Sequence, residues 1–261
     1  MAVEGHCIFC DEFGPLSAED PIAHWLDKLL QHFTTGPRIR HTRKVVEAGE
    51  VLDERSGTRQ TLSVYKVPVV CQRTCNGGWM SELEQEAIPI LSPMVLGHRR
   101  GLSMDDQSVI ARWMMLKALF FDLVEETDQT ADRSDFHDFY AARVPPPRFE
   151  CWLARYKPDR EDILFHVRNS FSTKIEHNGV PALTPHAQHL TLVLGHLVVQ
   201  SIFVNNRTQG YPEVFTRTEP EPHIARIWPS SRVVDWPPPL TLTSKEIEMF
   251  ATGTNDDGSP A

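Results

Sequence analysis

The sequence predicts an α+β protein: a metal-stapled N-terminal part of hairpin and helices, then one long helix, then an antiparallel, strand-rich C-terminal part. Three observations carry this. Two close cysteine pairs, Cys7-x-x-Cys10 and Cys71-x-x-x-Cys75, open and close the first third of the chain. Residues 103–126 hold the strongest helical apolar periodicity. Beyond Pro145-Pro146-Pro147 the pattern changes to β-rich runs.

Four thiols in two short knuckles match the ligand number and softness of a structural zinc site, which takes thiolates tetrahedrally at about 2.3 Å. With five cysteines in 261 residues, four of them in close pairs, metal binding is a better reading than a disulfide framework. Gly77 and Gly78 follow the second knuckle, where they can take positive φ as the chain leaves the ion. His6 is an alternative to one thiol. Cys151, in a strand-like run, reads as a small core residue.

In chain order, Ser17 and Asp20 read as a capping box opening a helix through Ile22, Trp25, Leu26, Leu29 and Leu30, ended by Gly36-Pro37. That places Asp20 and His24 on one helix face. Residues 38–70 read as a hairpin turning near Arg55-Ser56-Gly57-Thr58 and delivering the chain to Cys71. Ser81 and Glu84 form a second capping box, opening a short helix that Pro89 stops. Ser103 and Asp106 form a third, opening the long helix through Ile110, Trp113, Met114, Leu116, Leu119, Phe120 and Leu123 to about Glu126. Residues 134–143 are helical. The runs at 149–156, 163–172 and 189–204 are strands, the last bent at Gly195. A short final helix is capped by Thr243 and Glu246. Trp228, Trp236 and their prolines read as a packed seam. The expected division is 1–101 around the cysteines, 102–144 helical, 145–252 strand-rich and 253–261 a disordered tail.

Net charge is −9, which argues against a general nucleic-acid binder. The charge is uneven: 11 Lys+Arg stand against 13 Asp+Glu in residues 1–101, and 15 against 22 beyond. The first part also holds a basic cluster, Arg38, Arg40, Arg43 and Lys44, which a strand would alternate into a phosphate-facing stripe or a solvated face. No apolar run is long enough for a membrane helix, and the N-terminus has no secretion pattern. The expected compartment is the reducing cytoplasm.

The segments C-I-F-C (7–10), S-A-E-D-P-I-A-H-W-L (17–26) and V-V-C-Q-R-T-C-N-G-G-W-M-S-E-L-E (69–84) together resemble HNH, or His-Me finger, proteins of treble-clef type. More narrowly, with I-A-R-I-W-P and D-W-P-P-P, the chain is similar to bacterial and phage proteins labelled HNH endonuclease. The resemblance implies a hairpin–helix (ββα) site in which a divalent ion, often Mg²⁺, holds a scissile phosphate, a His activates water and an Asn orients that His. Asn76 matches the Asn. Asp20, after Glu19, stands where the general-base His is expected. An ordinary carboxylate is a weak base at neutral pH but a good hard ligand. His24 or His41 then has to supply the imidazole, and His98 is the nearest third ligand. The nucleic-acid contacts implied are Arg38, Arg40, Arg43, Lys44 and Arg73. Three readings follow: an HNH-type endonuclease with an atypical motif, an inactive zinc-stabilised relative that binds nucleic acid or protein, or an interaction protein whose C-terminal part holds the partner.

Overall fold

A computed structural model describes residues 3–19, 21–30, 33, 39–47, 50–59, 67–124, 129–157, 164–172, 175–177, 180–182, 186–205, 222–243, 246–247 and 250. Within 39–59, and for most of 164–186, it describes the backbone alone. Asp20, Gly36, Pro37, Arg38, Glu126 and the tail 253–261 lie outside the described residues. The fold is α+β with antiparallel sheets, as expected.

Strands β1 (Val3–His6) and β2 (Phe13–Glu19) form a hairpin with Cys7–Cys10 at its tip. Ser17 therefore lies inside a strand and caps no helix. β2 is paired on both sides, and its ladder bonds outweigh the single bond a local cap would offer. Helix α1 (His24–Leu30) starts at His24, later than the expected opening at Ser17, and the expected Asp20–His24 pairing falls on a residue outside those described. Ile22, Leu26 and Leu30 are buried as the periodicity demands.

Strands β3 (Ile39–Glu47) and β4 (Glu50–Arg59) form the expected hairpin, but Arg55–Thr58 is part of β4 and the reversal lies between Glu47 and Glu50. The hairpin also joins a different sheet from the knuckles. β5 (Val67–Cys71) pairs with β2, placing Cys71 opposite Leu16, and completes a three-stranded sheet β1-β2-β5.

A helical segment over Gln72–Met80 runs directly into helix α2 (Ser81–Val95). The Ser81 N–H already donates to Asn76 and Gly78 carbonyls, so there is no orphan donor for a second capping box to satisfy. Pro89 does not stop α2; it and Pro93 lie inside it. Pro93 has no N–H for the Pro89 carbonyl four residues back. Arg100 supplies the missing donor: its Nη1 reaches Pro89 O at 3.0 Å and Ile90 O at 3.2 Å, while Nη2 holds Asp106 at 3.2 Å. Arg100→Met is expected to lower stability by about 1–3 kcal/mol, the cost of stranding such an acceptor. Urea unfolding checks it, and an unchanged midpoint would show that water replaces the guanidinium.

After β6 (Arg100–Leu102), helix α3 (Met104–Leu123) opens with the expected reciprocal Ser103–Asp106 box. It is buried on nearly every side, Trp113, Met114, Leu116 and Leu119 almost completely. Helix α4 (Arg133–Ala142) is capped by an unforeseen Asp132–Asp135 box and ends at Arg143, φ +55°.

Strands β7 (Phe149–Tyr156), β8 (Leu164–Ser172), the small pair β9 (Ile175–His177) and β10 (Val180–Ala182), then β11 (His186–Leu194), β12 (Leu197–Val204) and β13 (Ile224–Trp228) follow, with Gly195 turning at φ +57°. The main sheet runs β13-β7-β12-β11-β8-β3-β4, and only its β3–β8 neighbours along that order are parallel. β14 (Val234–Trp236) pairs with β6, and β15 (Thr241–Leu242) lies parallel to β7. Trp236 is buried, with Trp228 packed against the same core, as the seam reading expects. Thr243 and Glu246 exchange the predicted capping bonds.

α3 packs between α2 and strands β7, β12 and β13, and one apolar core runs from Cys7 and Cys75 through α3 to Phe203. The α3 C-terminus is tied to the sheet by buried Asp122, which accepts the Thr130 and Ala131 N–H groups and pairs with Arg168 of β8.

Candidate metal centre

Two turns bring the cysteines together. In the first, the Cys7 N–H donates to Glu12 O and the Asp11 N–H to Cys7 O, both at 3.0 Å, with Asp11 at φ +62°. The Ile8 N–H donates to Val69 O at 2.9 Å, which fastens this turn to β5. The second starts at the end of β5 and places Cys75 in the helical segment. Gly77 and Gly78 serve a purpose other than the expected one, since neither has positive φ. A Cβ on Gly77 would lie 3.0 Å from Gln72 O, and one on Gly78 would lie 3.3 Å from Arg73 O. They are small because the backbone folds closely on itself.

The four sulfurs lie within 4.8 Å of one another, with Cys7–Cys75 at 3.6 Å and Cys10–Cys71 at 3.5 Å. None is in a disulfide. A tetrahedron with arms of about 2.3 Å has edges of about 3.8 Å, so the sulfurs already stand near the corners a Cys₄-bound ion requires. Cys7, Cys71 and Cys75 are buried and Cys10 is partly exposed.

The environment treats the thiols unequally. The Cys75 thiol beside Cys7, aided by the backbone groups of Cys10, Cys71 and Phe9, brings Cys7 down to about 4. Cys75 is driven upward, first by Cys7 and then by burial, although the Trp79 side chain opposes this. Burial raises Cys10 to about 11. Cys7 is thus disposed to be a thiolate beside two thiols, Cys10 and Cys75, that are held protonated, and an ion would replace those protons.

Around the sulfurs lies an aromatic shell. Phe9 meets Trp79, Phe136 and Phe120 edge-on at 5.5, 5.3 and 6.0 Å, joining the knuckles to α3 and α4. Thr74 Oγ1 donates across the knuckles to Glu12 at 2.8 Å. His6 bonds Asp11 O through Nδ1 at 3.0 Å and is not a member of the ligand cluster.

The metal turns also set a polar chain beside them. Asn76 Nδ2 donates to Ser17 Oγ at 3.0 Å, and that hydroxyl lies 2.9 Å from Glu19 Oε1 and 3.1 Å from Val70 O. Asn76 is thereby held against the half of β2 that leads into Glu19 and Asp20. Ser17 and Glu19 were missed as site residues, although their spacing of two places them on one strand face.

The remaining sequence candidates are dispersed. His24 is exposed at the start of α1, His98 is exposed after α2, and Arg73 is exposed on the second knuckle between its two ligands. Arg40, His41, Arg43 and Lys44 lie on β3, in the main sheet and not in the sheet carrying Ser17. Their side chains, like Arg38 and Asp20, fall outside the described residues. Cys151 is fully buried in β7, where burial pushes its thiol up, as a core residue should behave.

The fold and the site define an α+β chain in which four cysteines at one edge of the core lie close enough to hold a metal ion. No family model matches the chain, and neither a curated protein nor a solved structure gives a significant match. Among the described residues, no helix is long and apolar enough to cross a membrane.

Proposed function

We propose that this chain is a metal-dependent endonuclease of HNH type, hydrolysing nucleic-acid phosphodiester bonds in the cytoplasm, with Zn²⁺ held structurally by Cys7, Cys10, Cys71 and Cys75. The observation that carries the reading is the Asn76–Ser17–Glu19 chain, in which the metal turns clamp an Asn to the strand leading into a Glu-Asp pair. Glu19 and Asp20 are hard oxygen ligands suited to Mg²⁺. Such an ion would neutralise charge on a phosphate and lower the pKa of its bound water. In this reading Asn76 and Ser17 fix the Glu19 carboxylate, His24 at the start of α1 would take the water proton, and Arg73 would meet the nucleic-acid backbone.

The test is cleavage of supercoiled plasmid and single-stranded RNA by the zinc-loaded protein, with Mg²⁺ or Mn²⁺. Asp20→Ala and Asn76→Ala should each lower the rate by about 100-fold, in the range of lost acid–base or positioning groups, with bound zinc unchanged. A wild-type protein inert with every divalent ion tried would remove the catalytic reading.

A second reading has its own support. The Asn76 amide donates to Ser17, and among the described residues no His is bonded to it. That suits an inactive, zinc-stapled relative binding nucleic acid or protein. It predicts salt-sensitive binding, weakened by Arg73→Ala, with no turnover.

A further inference from the structure

The two knuckles hold their sulfurs in an arrangement with a second chemical use. The contacts at 3.6 Å (Cys7–Cys75) and 3.5 Å (Cys10–Cys71) each run from one knuckle to the other, and together they use every sulfur once. All four sulfurs lie within 4.8 Å of one another, and all are free cysteines. Two bridges can therefore form side by side without exchanging partners. Closing each contact to a bond of about 2.05 Å takes an approach of about 1.5 Å.

Access to the four is unequal. Cys10 is partly exposed, whereas Cys7, Cys71 and Cys75 are buried. A small oxidant arriving from solvent therefore meets Cys10 first, with the Cys71 sulfur already beside it. Oxidation at a thiol follows its exposure, and a neighbouring thiol turns the first product into a disulfide.

We propose that the cluster is a site of oxidation by hydrogen peroxide, in which Cys10 bonds to Cys71 and Cys7 to Cys75 as the metal leaves. This rests on the Zn²⁺ site of the proposed function and uses none of its catalytic residues. The Cys10 thiolate attacks one peroxide oxygen, the O–O bond breaks, and Cys10 becomes a sulfenic acid as hydroxide departs. The Cys71 thiolate then attacks the Cys10 sulfur, forming the S–S bond and expelling a second hydroxide. Each bridge thus gives two electrons to one peroxide. Loss of two ligands opens the site, and Cys7 and Cys75 repeat the steps with a second peroxide. Altogether four thiolates and two peroxides give two disulfides and four hydroxides, and Zn²⁺ departs with its oxidation state unchanged. Both bridges span the knuckles, across sequence separations of 68 and 61. They hold the β1–β2 tip against the end of β5 covalently, as the ion does by coordination, and long loops are where a cross-link constrains the unfolded chain most. Bridges inside a knuckle, Cys7–Cys10 and Cys71–Cys75, would leave the two turns unlinked.

The full-length, zinc-loaded protein, its metal content measured beforehand, is treated stepwise with hydrogen peroxide. Released zinc is read with a chromogenic chelator, and the bridges by mass spectrometry of unreduced digests. Trypsin separates Cys71 from Cys75 after Arg73, and chymotrypsin separates Cys7 from Cys10 after Phe9. The first equivalent should give Cys10–Cys71 and the second Cys7–Cys75, with one ion released per chain. The oxidised, zinc-free protein should keep a cooperative thermal transition, and dithiothreitol with Zn²⁺ should restore the starting form. Cys151→Ala, which removes the one cysteine outside the cluster, should behave identically. Bridges inside a knuckle, sulfinic or sulfonic acids in place of disulfides, zinc retained in excess peroxide, or loss of the thermal transition on oxidation would each overturn the proposal. A protein isolated without zinc would remove the metal reading alone, since the digest of its oxidised thiols still decides the pairing.

Discussion

Removing the ion from Cys7, Cys10, Cys71 and Cys75 is expected to unfold the front of the protein and not merely loosen it. Three of the sulfurs are buried, and they are sealed by Phe9 and Trp79, whose contacts reach Phe120, Phe136 and Phe139 in α3 and α4. Without an ion the turns have few reasons to meet, since β1, β2 and β5 alone make a small sheet. The apparent binding energy of a structural zinc ion in small peptides is about 10–16 kcal/mol, against a typical domain stability of about 5–15 kcal/mol. Chelation should therefore release one ion per chain, expose Trp79 and lower the thermal midpoint sharply, with Zn²⁺ restoring both. Cys75→Ala should reproduce the loss. Cys151→Ala, the same chemistry in β7, should keep the metal and cost only about 1 kcal/mol for the small group removed. Metal analysis beside thermal unfolding decides it: a metal-free wild-type protein with an unaltered midpoint would make the four thiols a chance cluster.

Cysteine pairs were legible in the sequence because the constraint is local: two soft ligands per turn, with small residues where the backbone doubles back. The long helix was legible for a related reason, since Ser103 and Asp106 satisfy each other within four residues. The same four-residue pattern misled at Ser17 and Ser81. At Ser17 a strand pairs on both sides, and at Ser81 a preceding helical segment has already used the N–H the cap would take. Neither fact lies within the four residues. Pro89 misled because α2 continues through it, and the carbonyl left without a donor by Pro93 is served by Arg100, eleven residues beyond Pro89. The placement of β3 was beyond local reading altogether. Its parallel partner β8 lies more than a hundred residues later, and that pairing separates the basic strand from the cysteine turns it was expected to adjoin. Of the candidate site, the pairing of the four cysteines into one cluster was visible. Ser17 and Glu19 were not, because their role depends on which strand Asn76 is brought to face.

Lys117→Met is expected to be the most damaging single change away from the metal. The Lys117 ammonium lies in the core on α3, 3% exposed, and meets Glu84 Oε1 of α2. Glu84 Oε2 also accepts the indole N–H groups of Trp25 at 2.8 Å and Trp113 at 3.0 Å, so one carboxylate joins α1, α2 and α3. Deleting one member of a buried pair strands the other charge and costs about 3–5 kcal/mol. Lys117→Met combined with Glu84→Gln should recover much of that, since the neutral amide can still accept from an indole and no charge is left alone. Acid titration supplies an independent check. Burial pushes the Glu84 carboxyl up, but Lys117 and the two indoles outweigh it and hold the group below the ordinary carboxylate range. With the folded value below the unfolded one, Glu84 stabilises fully above about pH 4.5, and that contribution is lost as pH falls through the folded value. Between about pH 6 and pH 3 the wild-type protein should therefore lose more unfolding free energy than the double variant, measured by urea unfolding at each pH. Equal losses in the two proteins would mean that Glu84 is not ionised in the core, and the three helices would then be held by packing alone.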